Sequence, residues 1–263
     1  MRLAEKTTSS ATIPESLIHS FDVLINWRPS INSPYAFPMV TNNSRAVFDA
    51  TAATYDRDRM KLIPGHEAFY AAALELIPTD AMHIVELGAG SGLFSAMLCA
   101  AFPEAHLTLI DFSENMLALA RQRLGNDPQI TFSLADYTTE PLPANSDAMV
   151  SALSIHHLED ERKHALLRPI FTALCPGGLF INADHIAGPT PELEETYQLR
   201  WLAEVRANGA TEQQISDSLF RQQEDRRTPV AAQLAWLREA GFTNVDCWYK
   251  HSSFAVMSGT RPR

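Results

Sequence analysis

The sequence predicts an α/β fold in which helices cover both faces of a mostly parallel sheet. From residue 83 to residue 188, short apolar runs alternate with stretches of helical length and period, which is the pattern of a parallel sheet. The chain has 263 residues, of which 46% are hydrophobic, enough for one complete core. The predicted strands are 83–87, 106–110, 129–134, 146–151, 178–184, 243–249 and 252–258. The predicted helices are 13–27, 46–60, 67–77, 91–102, 113–124, 159–174 and 229–240.

Two parts of the chain depart from the alternating pattern. Residues 1–44, which include a proline-rich loop at 28–44, are predicted to be an N-terminal extension of a domain spanning 45–263. Residues 189–227 are polar with helical stripes, and they are predicted to be a helical insertion before the last helix and two closing strands. A short turn between those strands predicts an antiparallel sheet edge.

Composition limits the classes of partner. The net charge is -10, the pI is about 5.3, and lysine and arginine are scattered, so we expect neither nucleic-acid nor membrane-surface binding. No apolar run approaches the ~18 residues of a membrane span, and the N-terminus lacks a signal-peptide core. Cys99, Cys175 and Cys247 lack paired spacing and are predicted to be buried thiols. A cytoplasmic protein is therefore expected.

The most informative segment is a glycine-rich turn after the first predicted strand. An apolar run containing Glu86 leads into Gly88-Ala89-Gly90-Ser91-Gly92, and the next apolar run ends in Asp111. Glycines allow the backbone to lie against a ligand, and an acid at the tip of the second strand can accept hydrogen bonds from a ribose diol. A dinucleotide motif would need its third glycine at Leu93, so the spacing favours a different nucleoside.

This segment resembles motif I of the class I S-adenosylmethionine (SAM)-dependent methyltransferases, and the resemblance extends over roughly residues 45–260. It implies a Rossmann-like class I methyltransferase fold, with a mostly parallel seven-stranded sheet whose last strand is antiparallel. It also implies that SAM is the cofactor and that S-adenosylhomocysteine (SAH) is its product.

The resemblance assigns a set of cofactor-binding residues. The glycine loop would contact the methionine part of SAM, Glu86 would position its amino-acid end, and Asp111 would bind the ribose. Phe112 and Met116 would flank the adenine, although a core role for Met116 is an equal alternative. The complete set is Glu86, Gly88, Ala89, Gly90, Gly92, Asp111, Phe112, Met116, Asp136, Tyr137, Ser151 and Leu153. In this set Asp136 would accept a hydrogen bond from the adenine amino group, and Tyr137 would lie beside it. The alternative is that Asp136 caps the start of a helix. Ser151 and Leu153 would provide backbone contacts.

Histidines supply the candidates for acid–base chemistry. His156 and His157 follow the fourth predicted strand, and His185 follows the fifth, so all three are expected near the methyl acceptor. We predict that His156 contacts the acceptor and acts as its base, and Tyr55 resembles a tyrosine that folds over the cofactor in related enzymes. No carboxylate pair with suitable spacing accompanies the histidines, so no metal site is predicted.

The C-terminal half resembles one branch of the family, the carboxy-SAM synthases of tRNA modification. The resemblance lies in Lys61-Leu-Ile-Pro-Gly65, Arg206-Ala-Asn-Gly209, Ile215-Ser216 and the segment 237–245. In that branch an arginine shortly after the Ile-Ser step binds the extra carboxylate, but this chain has Leu219 there. Arg221 is expected on another helical face. We therefore predict methyl transfer to a small-molecule acceptor, with oxygen or nitrogen favoured over carbon. Carboxy-SAM synthesis and a non-catalytic SAM-binding partner protein are the alternatives.

The segments outside the sheet are predicted to determine the acceptor. Residues 13–66 and 189–227 carry several aromatic side chains, which suit a lid over a flat or apolar acceptor. Their helical stripes could equally form a homodimer interface.

Overall fold

In a computed structural model of the chain, the described residues are 59–263, and they form one seven-stranded sheet with helices on both faces. The strands are β1 (His83–Leu87), β2 (His106–Asp111), β3 (Ile130–Leu134), β4 (Ser146–Ala152), β5 (Leu174–His185), β6 (Thr243–His251) and β7 (Phe254–Thr260). The helices are α1 (His66–Leu74), α2 (Leu93–Ala101), α3 (Glu114–Leu124), α4 (Asp160–Ala173), α5 (Pro191–Ala207), α6 (Glu212–Gln222) and α7 (Val230–Glu239). A short 3-10 helix, Ile155–His157, follows β4.

The strand order is β3-β2-β1-β4-β5-β7-β6, and β7 is antiparallel to both of its neighbours. The predicted mostly parallel sheet with an antiparallel last strand is therefore confirmed. On one side of the sheet the chain adds strands outward from β1 to β3, and on the other side outward from β4 to β5. The direction of this order therefore changes between β1 and β4, which pair in parallel. In an open α/β sheet, ligands bind in the crevice beyond the carboxyl ends of the strands at such a reversal. The glycine-rich turn and the predicted histidines lie at this edge.

Apolar side chains from the two faces of the sheet belong to different clusters. Along β4, Ala148 and Val150 pack in one cluster with Phe69 of α1, whereas Met149 packs in the other with Ile170 of α4. Side chains alternate across a strand, so a central strand with helices on both faces is apolar almost throughout. This explains why β1 and β4 appear in the sequence as continuous apolar runs.

The element boundaries differ locally from those predicted. Strand β5 begins at Leu174 rather than at residue 178, because Leu174 pairs with Ser146 ahead of a register shift in the ladder. Cys99, Cys175 and Cys247 are free thiols, but each is only half-buried rather than buried. The predicted helices 13–27 and 46–60 fall wholly or largely outside the described residues. Among the described helices, none combines the length and hydropathy needed to cross a membrane.

The insertion at 189–227 consists of α5, α6 and a short segment that leads to α7. Thr190 caps α5, and Thr211 caps α6 through a reciprocal capping box with Gln214. Trp201 of α5 is buried and donates a hydrogen bond from Nε1 to the Leu62 carbonyl oxygen at 2.9 Å. The insertion therefore packs against the residues that lie just ahead of α1.

Candidate active site

The glycine loop between β1 and α2 has the backbone conformation that its sequence requires. Gly88, Gly90 and Gly92 all have positive φ, at 75°, 54° and 77°. The amides of Gly88 and Ala89 both donate to the Ile110 carbonyl oxygen, at 2.8 and 3.0 Å, which fixes the loop against β2. A Cβ on Gly88 would lie 1.9 Å from Ser154 Oγ, whereas a Cβ on Gly90 would have no atom of residues 59–263 within 4 Å. Gly90 thus presents an open backbone surface to a ligand.

Asp111 lies at the tip of β2, beside this loop. Its Oδ2 accepts from the Gly90 amide at 2.8 Å, and its Oδ1 accepts from the Ser113 amide at 2.9 Å. The side chain is buried within the loop. Asp111 therefore ties the glycine loop to β2, and its predicted contact with a ribose diol stays a prediction.

Glu86 is a carboxyl group buried beneath the loop. It is 1% exposed, and Ser95 Oγ of α2 donates to its Oε2 at 2.5 Å. Burial raises its pKa from 4.5 to about 8, although the Ser95 hydrogen bond partly opposes this shift. In the ligand-free protein at neutral pH, Glu86 is therefore mainly protonated.

The residues expected around the adenine follow β2 and β3. Phe112 is half-buried after Asp111, whereas Met116 is almost fully buried in α3. Asp136 Oδ1 accepts from the amide and hydroxyl of Thr138 at 2.9 and 2.6 Å, so this carboxylate caps the turn after β3. Its predicted contact with adenine stays a prediction. Tyr137 is buried, its hydroxyl lies 2.9 Å from Ser154 Oγ, and burial raises its pKa.

The end of β4 supports the glycine loop and then turns sharply. Ser151 Oγ donates to the Leu87 carbonyl oxygen at 3.0 Å. Leu153 has a φ of 55°, which is rare for a leucine, and its amide donates to the Ala183 carbonyl oxygen of β5 at 2.8 Å. Strained backbone of this kind concentrates at functional sites because the surroundings must hold it in place. Here the turn directs the chain into the two histidines that follow.

His156, His157 and His185 converge on one buried carboxylate, Asp225, which follows α6. His156 Nε2 and His157 Nδ1 lie 3.4 and 3.3 Å from Asp225 Oδ1, and His185 Nδ1 lies 3.0 Å from Oδ2. On its other side, His156 Nδ1 donates to Asp184 Oδ1 at 2.6 Å. We call these five residues the histidine–aspartate cluster.

The charges of the cluster distinguish the three histidines. Burial opposes a charge on His156, but Asp184 and Asp225 outweigh this and raise its pKa to about 9. Burial and then repulsion by His156 lower the pKa of His157 to about 4, and burial lowers that of His185. The pKa of Asp225 is lowered well below its usual range because the three histidines outweigh its burial. The role of base that the sequence position of His156 suggested stays a prediction.

A cleft opens from the cluster, with about 760 Å³ of empty space that is continuous with solvent. Arg59 and Arg221 contribute positive groups to its wall, and Glu224 contributes a carboxylate. The apolar part of the wall comes from several elements around the end of the sheet. The lining residues are Arg59, Leu62, Ile63, Leu153, His156, His157, His185, Trp201, Ser218, Arg221, Gln222, Glu224, Asp225 and Phe254.

The fold brings together two features that the sequence did not connect with the site. Arg221 lies on another face of α6 from Leu219, as expected, but that face lines the cleft, while Leu219 packs against the apolar core. The sequence showed no carboxylate pair with suitable spacing beside the histidines, and the fold brings the carboxylate of Asp225 to them from a distant segment. Tyr55 lies outside the described residues.

The predicted lid is only partly described. Trp201 lines the cleft, whereas Tyr197 packs away from it and accepts a hydrogen bond from Lys250 Nζ at 2.6 Å. The other aromatic residues considered for the lid fall within 13–58, outside the described residues. The lid and the homodimer interface both stay predictions.

Comparison with known proteins agrees with this architecture. A family model described as a methyltransferase domain matches residues 84–178. Demethylmenaquinone methyltransferase from Clavibacter sepedonicus is 30% identical over 211 residues, covering 76% of this chain and 82% of the relative. Carboxy-S-adenosyl-L-methionine synthase from Chromohalobacter salexigens is 27% identical over 181 residues, covering 66% of this chain and 67% of the relative. The chain belongs to the class I SAM-dependent methyltransferases.

The fold is also that of solved methyltransferases. The N-methyltransferase NodS from Bradyrhizobium japonicum WM9, in complex with SAH, superimposes with a TM-score of 0.60 at 16% identity. The match covers 84% of this chain and 100% of that chain. SAM is the cofactor of this chain, and the activity is SAM-dependent methyl transfer.

The residues at the β1–β2 edge fit SAM. The exposed backbone of Gly90 leaves space where any side chain would project, and Asp111 provides a carboxylate beside it. When bound, SAM supplies a methyl group already activated by its sulfonium. The protein then has to align the acceptor with that methyl group and exclude water from the cleft.

Two alanine substitutions in the glycine loop should separate folding from cofactor binding. Gly88→Ala should lower the free energy of unfolding by about 2–5 kcal/mol, because it adds a left-handed alanine and a clash with Ser154. Gly90→Ala should cost only about 1–2 kcal/mol, since its Cβ meets no atom within the described part of the chain. Its methyl group would instead project into the cofactor space and weaken SAH binding. Thermal unfolding and calorimetric titration with SAH measure the two effects. Tight SAH binding by a folded Gly90→Ala variant would contradict the assignment of the loop.

Proposed function

We propose that this methyltransferase transfers the methyl group to an oxygen of a small, anionic acceptor, such as a carboxylate or a phenolate. The observation that carries this proposal is the pair of arginines, Arg59 and Arg221, on the wall of the cleft. They come from separate parts of the chain, ahead of α1 and within α6. An acceptor in the cleft would therefore meet guanidinium groups from two elements, and planar guanidinium groups suit carboxylate oxygens.

The two arginines, set beside the carboxylates of Glu224 and Asp225 in the same cleft, favour oxygen over nitrogen as the accepting atom. An aliphatic amine is a cation at neutral pH, so guanidinium groups would repel it and a base would have to deprotonate it. A carboxylate is already ionised and needs no base. The remaining requirement is alignment, which the apolar side chains of Leu153, Trp201 and Phe254 can support from other parts of the wall.

A direct test is to screen acceptors with purified protein and SAM. We expect SAH formation, and a product heavier by one methyl group, with members of a panel of small carboxylates and phenols. Matched neutral amides and protonated amines should be inactive. If only amines are methylated, the proposed acceptor class is wrong, although the enzyme would remain a methyltransferase.

Arg221→Leu provides a prediction for the site itself. We expect its KM for an anionic acceptor to rise roughly 10- to 150-fold, the equivalent of losing a hydrogen bond to a charged group. SAH affinity should stay within about twofold, because Arg221 is assigned to the acceptor and not to the cofactor. Arg206→Leu is the control, since Arg206 also lies on the insertion but pairs with Glu212 at the surface. Equal effects of the two substitutions would contradict a role for Arg221 in binding the acceptor.

A second candidate, carboxy-SAM synthesis, is favoured by the position of Arg221 in the cleft. The relative from Chromohalobacter salexigens bears that name, and the resemblance to that branch implies an arginine that binds the added carboxylate. The two activities give different products from SAM. A carboxylated SAM would identify the synthase, whereas SAH and a methylated acceptor identify the methyltransferase. Leu219 at the matching position favours the methyltransferase.

A further inference from the structure

The histidine–aspartate cluster has the geometry of a metal-binding site. One ligand atom from each of His156, His157 and Asp225 lies within 4.8 Å of the other two. The His156 Nε2 and His157 Nδ1 atoms are 3.4 and 3.3 Å from the same oxygen, Asp225 Oδ1. Ligands of a tetrahedral ion with bonds of about 2.0–2.1 Å are about 3.3–3.4 Å apart. Both contacts are longer than the ~2.7–2.9 Å of charge-assisted hydrogen bonds, so the spacing fits a shared ion better.

Two further groups hold these ligands in orientation. Asp184 Oδ1 accepts from His156 Nδ1 at 2.6 Å, which turns the opposite ring nitrogen, Nε2, toward Asp225. His185 Nδ1 contacts the second carboxylate oxygen of Asp225 at 3.0 Å and leaves Oδ1 to the other histidines. A carboxylate behind a ligating histidine is a recurrent arrangement around protein-bound metals because it sets the tautomer and the direction of the ring. Asp184 is 1% exposed, and its carboxylate also accepts from the His185 amide at 3.0 Å and from Asn182 Nδ2 at 3.3 Å, which fixes its own orientation.

The cluster is buried on one side and open on the other. The side chains of Asp184 and Asp225 are 2% and 5% exposed, whereas that of His157 is 20% exposed. His156, His157, His185 and Asp225 all line the cleft. A metal held by three protein ligands here would keep at least one coordination position directed at the acceptor.

We propose that His156 Nε2, His157 Nδ1 and Asp225 Oδ1 bind a divalent transition-metal ion at the base of the cleft. Two imidazoles and one carboxylate suit borderline ions such as Zn²⁺ and Fe²⁺ rather than Mg²⁺ or Ca²⁺, which prefer oxygen ligands. If the proposed function is correct, the open position would bind an anionic oxygen of the acceptor. The ion would then fix that oxygen relative to Arg221 and the cofactor edge of the sheet.

Metal binding can be tested without any turnover. Protein dialysed against EDTA should bind one Co²⁺ or one Zn²⁺ per chain, measured by calorimetry. Co²⁺ should also give the visible absorption bands of a site with low coordination number. His157→Gln and Asp225→Asn should each abolish stoichiometric binding, and Asp184→Asn should weaken it about 10- to 100-fold, as expected for an orienting partner. His164→Gln is the control, because His164 is exposed, does not line the cleft, pairs with Glu239 at 3.2 Å and stacks on Trp236.

The outcomes separate the metal site from both misfolding and the proposed function. Circular dichroism and SAH titration on the same samples report whether each variant is folded and retains its cofactor site. His157→Gln guards against a folding defect in Asp225→Asn, because the His157 side chain is the more exposed of the two. If the wild-type protein binds neither Co²⁺ nor Zn²⁺ stoichiometrically, or if folded His157→Gln and Asp225→Asn bind as tightly as His164→Gln, the proposal is overturned. Failure of the acceptor screen with intact metal binding would overturn only the proposed function.

Discussion

Replacing Asp111 with alanine is expected to weaken SAH binding roughly 10- to 150-fold, the cost of losing hydrogen bonds to a charged group. The carboxylate stands at the tip of β2, where a ribose diol would approach, and it also holds the Gly90 amide at 2.8 Å. The substitution therefore removes both the predicted ribose acceptor and one anchor of the glycine loop. Calorimetric titration with SAH measures the loss.

Asp147 provides a matched control for the structural part of this effect. Its Oδ2 accepts from the amides of Met82 and His83 at 2.8 and 2.9 Å, close to the distances that Asp111 makes to Gly90 and Ser113. However, it lies at the opposite edge of the sheet, where β1 and β4 begin. Asp147→Ala should lower stability but leave SAH affinity unchanged. If both variants lose affinity equally, Asp111 acts only through folding.

The sequence predicted the fold and the cofactor edge because both depend on local patterns. The alternation of apolar runs defines the strands, and the spacing of Gly88, Gly90 and Gly92 directly encodes a left-handed backbone next to a strand tip. Asp111 could be placed because it ends an apolar run. In each case the relevant neighbours lie within one strand–turn–helix unit, so no distant contact had to be known.

The acceptor side could not be predicted in the same way. Asp225 reaches the histidines from a segment after α6, and no periodicity marks that approach. Asp184 was visible beside His185, but its partner is His156, which lies in the 3-10 helix after β4, 28 positions earlier in the sequence. A histidine between two carboxylates does not behave like an isolated one, so the environment of His156 could not be inferred from its sequence position. Which face of α6 lines the cleft, that of Arg221 or that of Leu219, depends on tertiary packing.

Glu86 gives a stability prediction whose sign depends on pH. Its pKa is about 8 in the folded protein and 4.5 when exposed, so between these values the folded protein holds a proton that the unfolded chain has released. Stability is therefore unaffected by Glu86 below about pH 4.5 and falls as the pH rises toward 8, after which the loss is constant. The loss of stability is about 1.4 kcal/mol for each unit by which the folded pKa exceeds the exposed pKa.

Glu86→Gln should abolish this loss, because a neutral amide has no charge to bury and its oxygen can still accept from Ser95 Oγ. We expect the variant to be more stable than the wild type by about 3 kcal/mol at pH 7 and by about 5 kcal/mol above pH 8, with little difference near pH 4.5. Denaturant unfolding across this range measures the gain, and Glu104→Gln gives the background for removing an exposed carboxylate. A gain independent of pH would contradict the assigned pKa.

Because the resemblance places Glu86 at the amino-acid end of SAM, we expect the SAH affinity of Glu86→Gln to fall as its stability rises. Such a trade-off would identify the buried carboxyl as retained for cofactor binding at the expense of folding.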